Sequence, residues 1–301
     1  MRLWLVPLLA IVIVGCKPKP SATIVADPAL MTLVPSDTVF LAGIRMEPLR
    51  STPIYQKYVA QQKIQWVEDF TKETGLDPRK DLWEFIIASN GKDTVVMTRG
   101  TFAEMGLEPK LQKQGVQRMG YKGYTLLGDE TTAVAFINSS TAIAARTPYV
   151  KRMIDNRDKG SSGAPKWIID RVKQIPSTNQ VWFTGAGDVP KIDRSDAGNM
   201  ANLNVLIDKV QSFTGGVDFR AGARAHVDAT CDTDADAEHL AQSIKGLIGM
   251  GRLSTPTEQH DMLRVYDAVK VGFKAKQVNV DVDLPQDLLD QLAKVSIHRP
   301  R

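Results

Sequence analysis

The chain has 301 residues, 43% of them hydrophobic and 24% charged, with a formal charge of +4 at neutral pH. That balance excludes an intrinsically disordered chain and supplies no basic surplus of the kind a nucleic-acid partner requires. With only two cysteines, Cys16 and Cys231, a disulfide-stapled scaffold is excluded as well.

The chain opens with Arg2 and then an uncharged run of 13 residues, Leu3 to Gly15, which ends at Cys16 and Lys17-Pro18-Lys19-Pro20. The run is too short to span a bilayer, which takes roughly 20 apolar residues. It matches the positive start, apolar middle and small-residue exit of a secretory signal. The run's end, Ile13-Val14-Gly15-Cys16, resembles the lipobox of bacterial lipoproteins. That resemblance implies cleavage between Gly15 and Cys16, a diacylglyceryl thioether on Cys16, and acylation of the new amino terminus. Palmitate is a typical acyl group in this chemistry. Several acyl chains suit the physics, since one alone binds a membrane only marginally, at about 10⁴ M⁻¹. An ordinary signal peptide with an incidental Cys, or an uncleaved anchor, are the competing readings.

Removal of the first 15 of 301 residues leaves 286, enough for one large domain or two ordinary ones. If Cys16 carries lipid, Cys231 has no intrachain partner, and the exported body must rely on its apolar core. Residues 16–32 read as a proline-bearing tether, in which Lys17 and Lys19 can meet anionic headgroups.

The folded part is expected from Leu33, with a first strand at Val39–Ile44 after Val34-Pro35-Ser36-Asp37-Thr38. Ile54–Thr74 has helical periodicity through Tyr55, Val59, Trp66 and Phe70, and Gly75 is placed to stop it. Strands at Phe85–Ser89 and Thr94–Thr98 flank Asn90-Gly91, a strong hairpin signal. A helix at Phe102–Gln114 precedes strands near Tyr124–Leu127, Ala133–Ile137 and Ala142–Ala145, and Pro148 opens another helix through Asn156.

The order then recurs. Gln174-Ile175-Pro176-Ser177-Thr178-Asn179 leads into a strand at Val181–Gly185, with Pro176 lying 141 residues after Pro35. Strands at Phe213–Arg220 and Ala223–Thr230 flank Ala221-Gly222, and a helix spans Asp234–Gly249. Strands are expected at Met262–Tyr266, Val269–Lys274 and Gln277–Asp283, and a helix from Pro285 to Val295. Pro285 follows Pro148 by 137 residues. A self-similar order of this kind predicts an internal duplication: an α+β fold of two similar halves, 33–160 and 161–301, each an antiparallel sheet with helices on one face. Strict alternation in Ala223–Thr230 and Gln277–Asp283 predicts strands with one dry and one wet side. Ala133–Ile137 and Ala142–Ala145, apolar on both sides, predict strands covered twice. The linker, Asp155–Gly163, sits in a stretch from Lys151 to Lys173 with seven basic and three acidic residues, read as a solvated face.

Chemistry-bearing motifs are sparse. Asp232, Asp234 and Asp236 mimic three EF-hand ligands, but Ala237 and Ser243 occupy the positions that need Gly and a bidentate Glu. N-terminal capping of the next helix is the better reading, and no metal or cofactor is expected beyond the lipid on Cys16. Gly185-Ala-Gly187 lacks the third glycine of a dinucleotide loop, where Pro190 stands. His226, His239, His260 and His298 lack metal spacing, and no base lies near Cys231 in sequence. Tyr121-Lys122-Gly123-Tyr124 is the one candidate binding motif: either Tyr121 and Tyr124 present rings at a hairpin tip, or they pack in the core.

The segment Leu33–Arg99 is similar to uncharacterised extracytoplasmic domains of bacterial lipoproteins, through Val34–Thr38 and the Gly75-Leu76-Asp77-Pro78 turn. That resemblance implies a fold without an assigned activity. The expected function is a lipid-anchored, non-catalytic binding or scaffolding module of the cell envelope. Its expected partners are the membrane and an envelope protein, not nucleic acid. An envelope hydrolase with an unrecognised site, or a carrier of a small apolar or lipid ligand, are the alternatives. Lys17 after the acylated Cys favours the periplasmic face of an outer membrane over the inner membrane. Oligomeric state is left open.

Overall fold

A computed structural model describes residues 25–60, 62–74, 76–102, 116–160, 163–187 and 208–297. The leader with Gly15 and Cys16, most of the Phe102–Gln114 helix, Gly75, Pro190 and His298 lie outside the described residues.

The first described element is a short helix, α1 (Pro28–Met31), capped by Asp27, whose carboxylate accepts the Ala29 amide at 2.7 Å. Val25, Ala26 and Leu30 are buried in the main core, so the tether expected through Thr32 gives way to folded chain by Val25. Proline content favoured a spacer; the apolar residues between the prolines decide otherwise.

Strand β1 (Phe40–Arg45) is followed by α2 (Met46–Arg50), α3 (Pro53–Tyr58), α4 (Gln65–Thr74) and α5 (Pro78–Asp81). The single helix expected over Ile54–Thr74 is therefore two. The Thr52 hydroxyl caps α3, and Lys57 and Tyr58 near its end reach Asp290 at 2.6 and 2.8 Å. These long-range contacts hold α3 as a separate short piece. Strands β2 (Leu82–Ser89) and β3 (Thr94–Gly100) form the expected hairpin, with Gly91 at a φ of +85° that other residues rarely adopt. Next come β4 (Gln117–Tyr121), β5 (Tyr124–Gly128), β6 (Thr132–Asn138), β7 (Thr141–Arg146), α6 (Thr147–Asp158) and α7 (Lys166–Val172). The rest comprises β8 (Val181–Ala186), β9 (Val210–Asp218), β10 (Ala223–Cys231), α8 (Asp234–Ser254), α9 (His260–Asp267), β11 (Val269–Lys274), β12 (Gln277–Leu284) and α10 (Gln286–Ile297).

The twelve strands among the described residues make one antiparallel sheet, ordered β11-β12-β10-β9-β8-β1-β2-β3-β7-β6-β5-β4. The expectation of two separate sheets is corrected here. β1 and β8 pair directly from Phe40–Gly185 to Ile44–Val181, so the two regions share one backbone ladder. A second correction concerns Met262–Tyr266, which lies in helix α9 rather than a strand. Short apolar runs do not separate the two by periodicity; Arg264 pairs with Asp261 one turn back within α9 and ties the helix to Asp287 of α10.

The dry side of the sheet changes at β1/β8. One cross-strand row runs Ala133, Ala145, Val95, Ala88, Leu41, Thr184, Thr214, Asp228, Asn279 and Gly272. It is apolar up to Leu41, where it packs under α1, α6 and α7, and polar beyond Thr184. The opposite row through Phe213, Ala229 and Val278 is apolar and packs under α8. Helices thus cover opposite faces in the two regions, not one face throughout. β6 and β7 are covered on both sides, as expected: Ala135 and Ile143 join the main core, and Ala142, Val134 and Phe136 join a smaller one with Leu76, Leu82 and Phe102.

Candidate functional site

The chemistry worth attention gathers at one end of β1, β2 and β3. Arg45, Glu84 and Arg99 are register neighbours on these three strands, on the face that points into the main core two residues away. Alternation forces this: Ile86 and Ala88 are buried, so Glu84 points the same way at the strand's open end. Asp27, just before α1, folds over the top. With Glu47, Pro48 and Trp83 these residues line a cleft of about 350 Å³.

The hydrogen bonds are unevenly shared. Glu84 Oε1 accepts the Asp27 backbone N–H at 3.0 Å. Arg99 Nη1 donates to Asp27 Oδ2 at 2.5 Å, its guanidinium carbon lies 5.5 Å from the Trp83 ring centre, and its Nε–H is buried without a partner. Arg45 donates through Nη1 to the Ser177 carbonyl and so is turned towards the β8 side. Burial pushes the Glu84 carboxyl up to about 7; Asp27 adds repulsion, and the Asp27 amide, Arg45 and Arg99 only partly offset it. A carboxyl titrating near neutrality in a cleft beside an indole ring has the features of a binding or acid–base site.

Sequence reasoning passed over this cleft because its members are spread from Asp27 to Arg99 and match no spaced motif. A faint signal existed: Glu84 occupies an inward position of the apolar run Leu82–Ser89.

The sequence-derived candidates fall elsewhere. Tyr121 and Tyr124 sit at the β4–β5 turn and pack against the main core. The Tyr121 hydroxyl donates to Asp155 of α6 at 2.9 Å, and Arg157 donates to the Tyr124 hydroxyl at 2.8 Å. They clamp a hairpin to a helix. Tyr121→Ala is expected to destabilise the protein by about 1–3 kcal/mol through lost packing and a lost hydrogen bond, Asp155 keeping its Lys122 partner; an unchanged urea midpoint would show the ring to be dispensable to the fold. Cys231 is fully buried, and desolvation together with Asp236 and Asp232 pushes its thiol up. It is expected to resist a thiol reagent such as DTNB in the native protein and to react fully in denaturant; rapid labelling of the folded chain would contradict this.

Asp234 and Asp236 lie in the first turn of α8, where the Thr233 hydroxyl accepts the Asp236 amide at 3.1 Å. Among the described residues no group of acidic, His or Cys side chains is arranged to hold a metal ion. At Gly185 a side chain would strike the Phe213 ring, 2.6 Å from the Cβ position, so this glycine serves sheet packing. In the basic linker region, Arg152 lies over the Tyr149 ring at 4.4 Å and pairs with Asp93, and Lys166 pairs with Asp170.

A wider hollow of about 550 Å³ lies on the polar half of the sheet, among Asn179, Asp218, Arg224, His226, Lys270 and Asp281. Its charges largely answer one another: Arg220 holds Asp218 at 2.6 Å, Arg224 faces Asp283 at 3.8 Å, and Lys270 lies across from Asp281. An apolar hollow of about 350 Å³ is lined by Val116, Leu127, Val134 and Ala144. The Glu84 cleft differs from both in holding a half-buried carboxylate pushed up to about 7.

No protein-family model matches the chain, and no curated protein does. Solved structures of TP0453 resemble it at 8% sequence identity: crystal form III with a TM-score of 0.53, covering 90% of this chain and 98% of that one, and crystal form I with 0.49, covering 88% and 96%. At that identity the likeness to form III concerns the fold alone. Among the described residues no helix is long and apolar enough to cross a membrane.

Proposed function

We propose that this chain is a lipid-anchored protein of the bacterial cell envelope whose body binds a small polar ligand in the Glu84 cleft. The observation that carries the reading is the hydrogen bond from the Asp27 amide to Glu84: the first described stretch of chain is itself a wall of the cleft. Val25 lies nine positions after Cys16, a reach of at most about 32 Å when extended. Lipid on Cys16 would hold the cleft close to the bilayer. Lys17 and Lys19 would lie beside the headgroups, on the periplasmic face of an outer membrane where one exists. The body then acts as a non-catalytic binding module.

Two measurements test this. Cys16→Ala is expected to abolish labelling of the protein by a fatty-acid probe in cells; persistent labelling would remove the anchor from the account. The full-length protein, purified from its own membrane, is expected to release a small molecule that the Glu84→Gln, Trp83→Ala variant does not carry. A second reading, an envelope hydrolase, draws on the near-neutral Glu84, since a general acid needs a carboxyl of that kind. Turnover that disappears in Glu84→Gln would promote it.

We further propose that the fold arose by internal duplication. The residues at the middle of the β1–β8 ladder, Ala42 and Phe183, are 141 positions apart, the same offset as Pro35 and Pro176. The orders β1-β2-β3-β7-β6 and β8-β9-β10-β12-β11 correspond strand for strand about that ladder, with β4–β5 as an addition to the first.

A further inference from the structure

We propose that the Glu84 cleft takes a ligand bearing an ammonium group, an inference that rests on reading the cleft as a binding site. Its lining holds three carboxylates, Asp27, Glu47 and Glu84, against two guanidinium groups, Arg45 and Arg99. Arg99 is paired with Asp27 and lies by Trp83, and Arg45 is turned aside by its hydrogen bond to the Ser177 carbonyl, although its charge still acts on Glu84. Among the described residues neither Glu47 nor Glu84 forms an ion pair. Among the described residues Glu84 accepts one hydrogen bond, from the Asp27 backbone amide, with the Arg45 and Arg99 charges nearby. Glu47 is exposed and meets water, whereas Glu84 is half-buried, and a half-buried carboxylate is stabilised by a cation that arrives with the ligand. Trp83 on the same wall suits this, because an indole ring attracts cations. The unmet Nε–H of Arg99 adds a donor for an acceptor oxygen beside the ammonium, as in an amino alcohol. The three carboxylates are not grouped as a metal site, which favours an organic cation over a metal ion. A hollow of about 350 Å³ is at the small end of ligand clefts and suits a compact amine or a headgroup.

Because the ammonium pairs with ionised Glu84, binding releases the proton that Glu84 holds near neutrality, and affinity rises with pH. Asp27, Arg45, Glu47 and Arg99 are the charged groups facing it. The test is calorimetric titration of the full-length protein in detergent with ethanolamine, neutral N-acetylethanolamine and inorganic phosphate, at pH 6 and pH 8. Ethanolamine is expected to bind about tenfold more tightly at pH 8 than at pH 6, with N-acetylethanolamine and phosphate silent. Glu84→Gln, which keeps the acceptor for the Asp27 amide, is expected to lose at least ten times in affinity and the pH dependence with it. Equal binding of the neutral analogue, binding of phosphate alone, or unchanged affinity in Glu84→Gln would overturn the ammonium inference while leaving a binding cleft. No response to any probe, together with no co-purifying molecule, would remove both. Vesicles containing phosphatidylethanolamine separate the sources: their capture through the cleft marks a lipid headgroup, and a response to ethanolamine only marks a free amine.

Discussion

Glu84→Gln is expected to flatten the stability profile of the protein between about pH 5 and pH 8. Burial raises the Glu84 carboxyl from 4.5 to about 7, so the folded chain keeps a proton that the unfolded chain has released. The stability this contributes is complete below pH 4.5 and is lost as pH rises through 7. At about 1.4 kcal/mol per pH unit the full effect approaches roughly 3 kcal/mol, and the open side of the cleft reduces it. The depressed carboxyls of Asp93, Asp218 and Asp290 act in the opposite sense, at acid pH below their ordinary range, and leave this window to Glu84. Thermal melts of both proteins at pH 5, 6, 7 and 8 decide the matter. The variant should hold its midpoint while the parent falls, and parallel curves would show that Glu84 ionises freely.

The larger effect is expected at the seam of the sheet. Trp182 of β8 is fully buried and lies over Gly43 of β1, where a side-chain Cβ would come within 2.3 Å of the indole ring. Gly43→Ala overpacks this point and should cost at least the about 1–3 kcal/mol usual for such insertions. Trp182→Ala leaves a cavity and should cost about 3–5 kcal/mol. Combined, the two should cost clearly less than their sum, because the cavity accepts the added methyl. Urea denaturation of the four proteins provides the cycle. Strict additivity, or a silent Gly43→Ala, would mean that the two strands can separate enough to absorb the change.

Much of the fold could be read from the sequence where alternation is strict. Gln277–Asp283 alternates as expected, Ala223–Thr230 does so only in part, with Arg224 and Asp228 exposed but His226 and Thr230 half-covered, and the Asn90-Gly91 and Ala221-Gly222 turns are where expected. β4 carries no local strand signal, since Gln117-Arg118-Met119-Gly120-Tyr121 has neither alternation nor β-branched residues; its partner β5 makes it a strand. α9 reads as a strand in sequence because eight residues are too few to fix a period. The change of dry side across β1/β8 depends on which strands become neighbours, and no local pattern holds that information. The Glu84 cleft depends on it too: Asp27, Arg45 and Arg99 acquire their roles only when the ladder aligns them.

The unbroken ladder means that the chain cannot be divided into two portable modules, despite the correspondence between its parts. Expressed by itself, the portion from Leu33 to Gly160 would bare the N–H and C=O row of β1 that β8 now occupies, and naked rows of that kind recruit foreign strands. The linker expected over Asp155–Gly163 begins inside α6, which runs to Asp158; a protease cut just after it, at Lys159–Gly160, would nick the molecule yet release neither portion, which would still migrate as one particle until denatured.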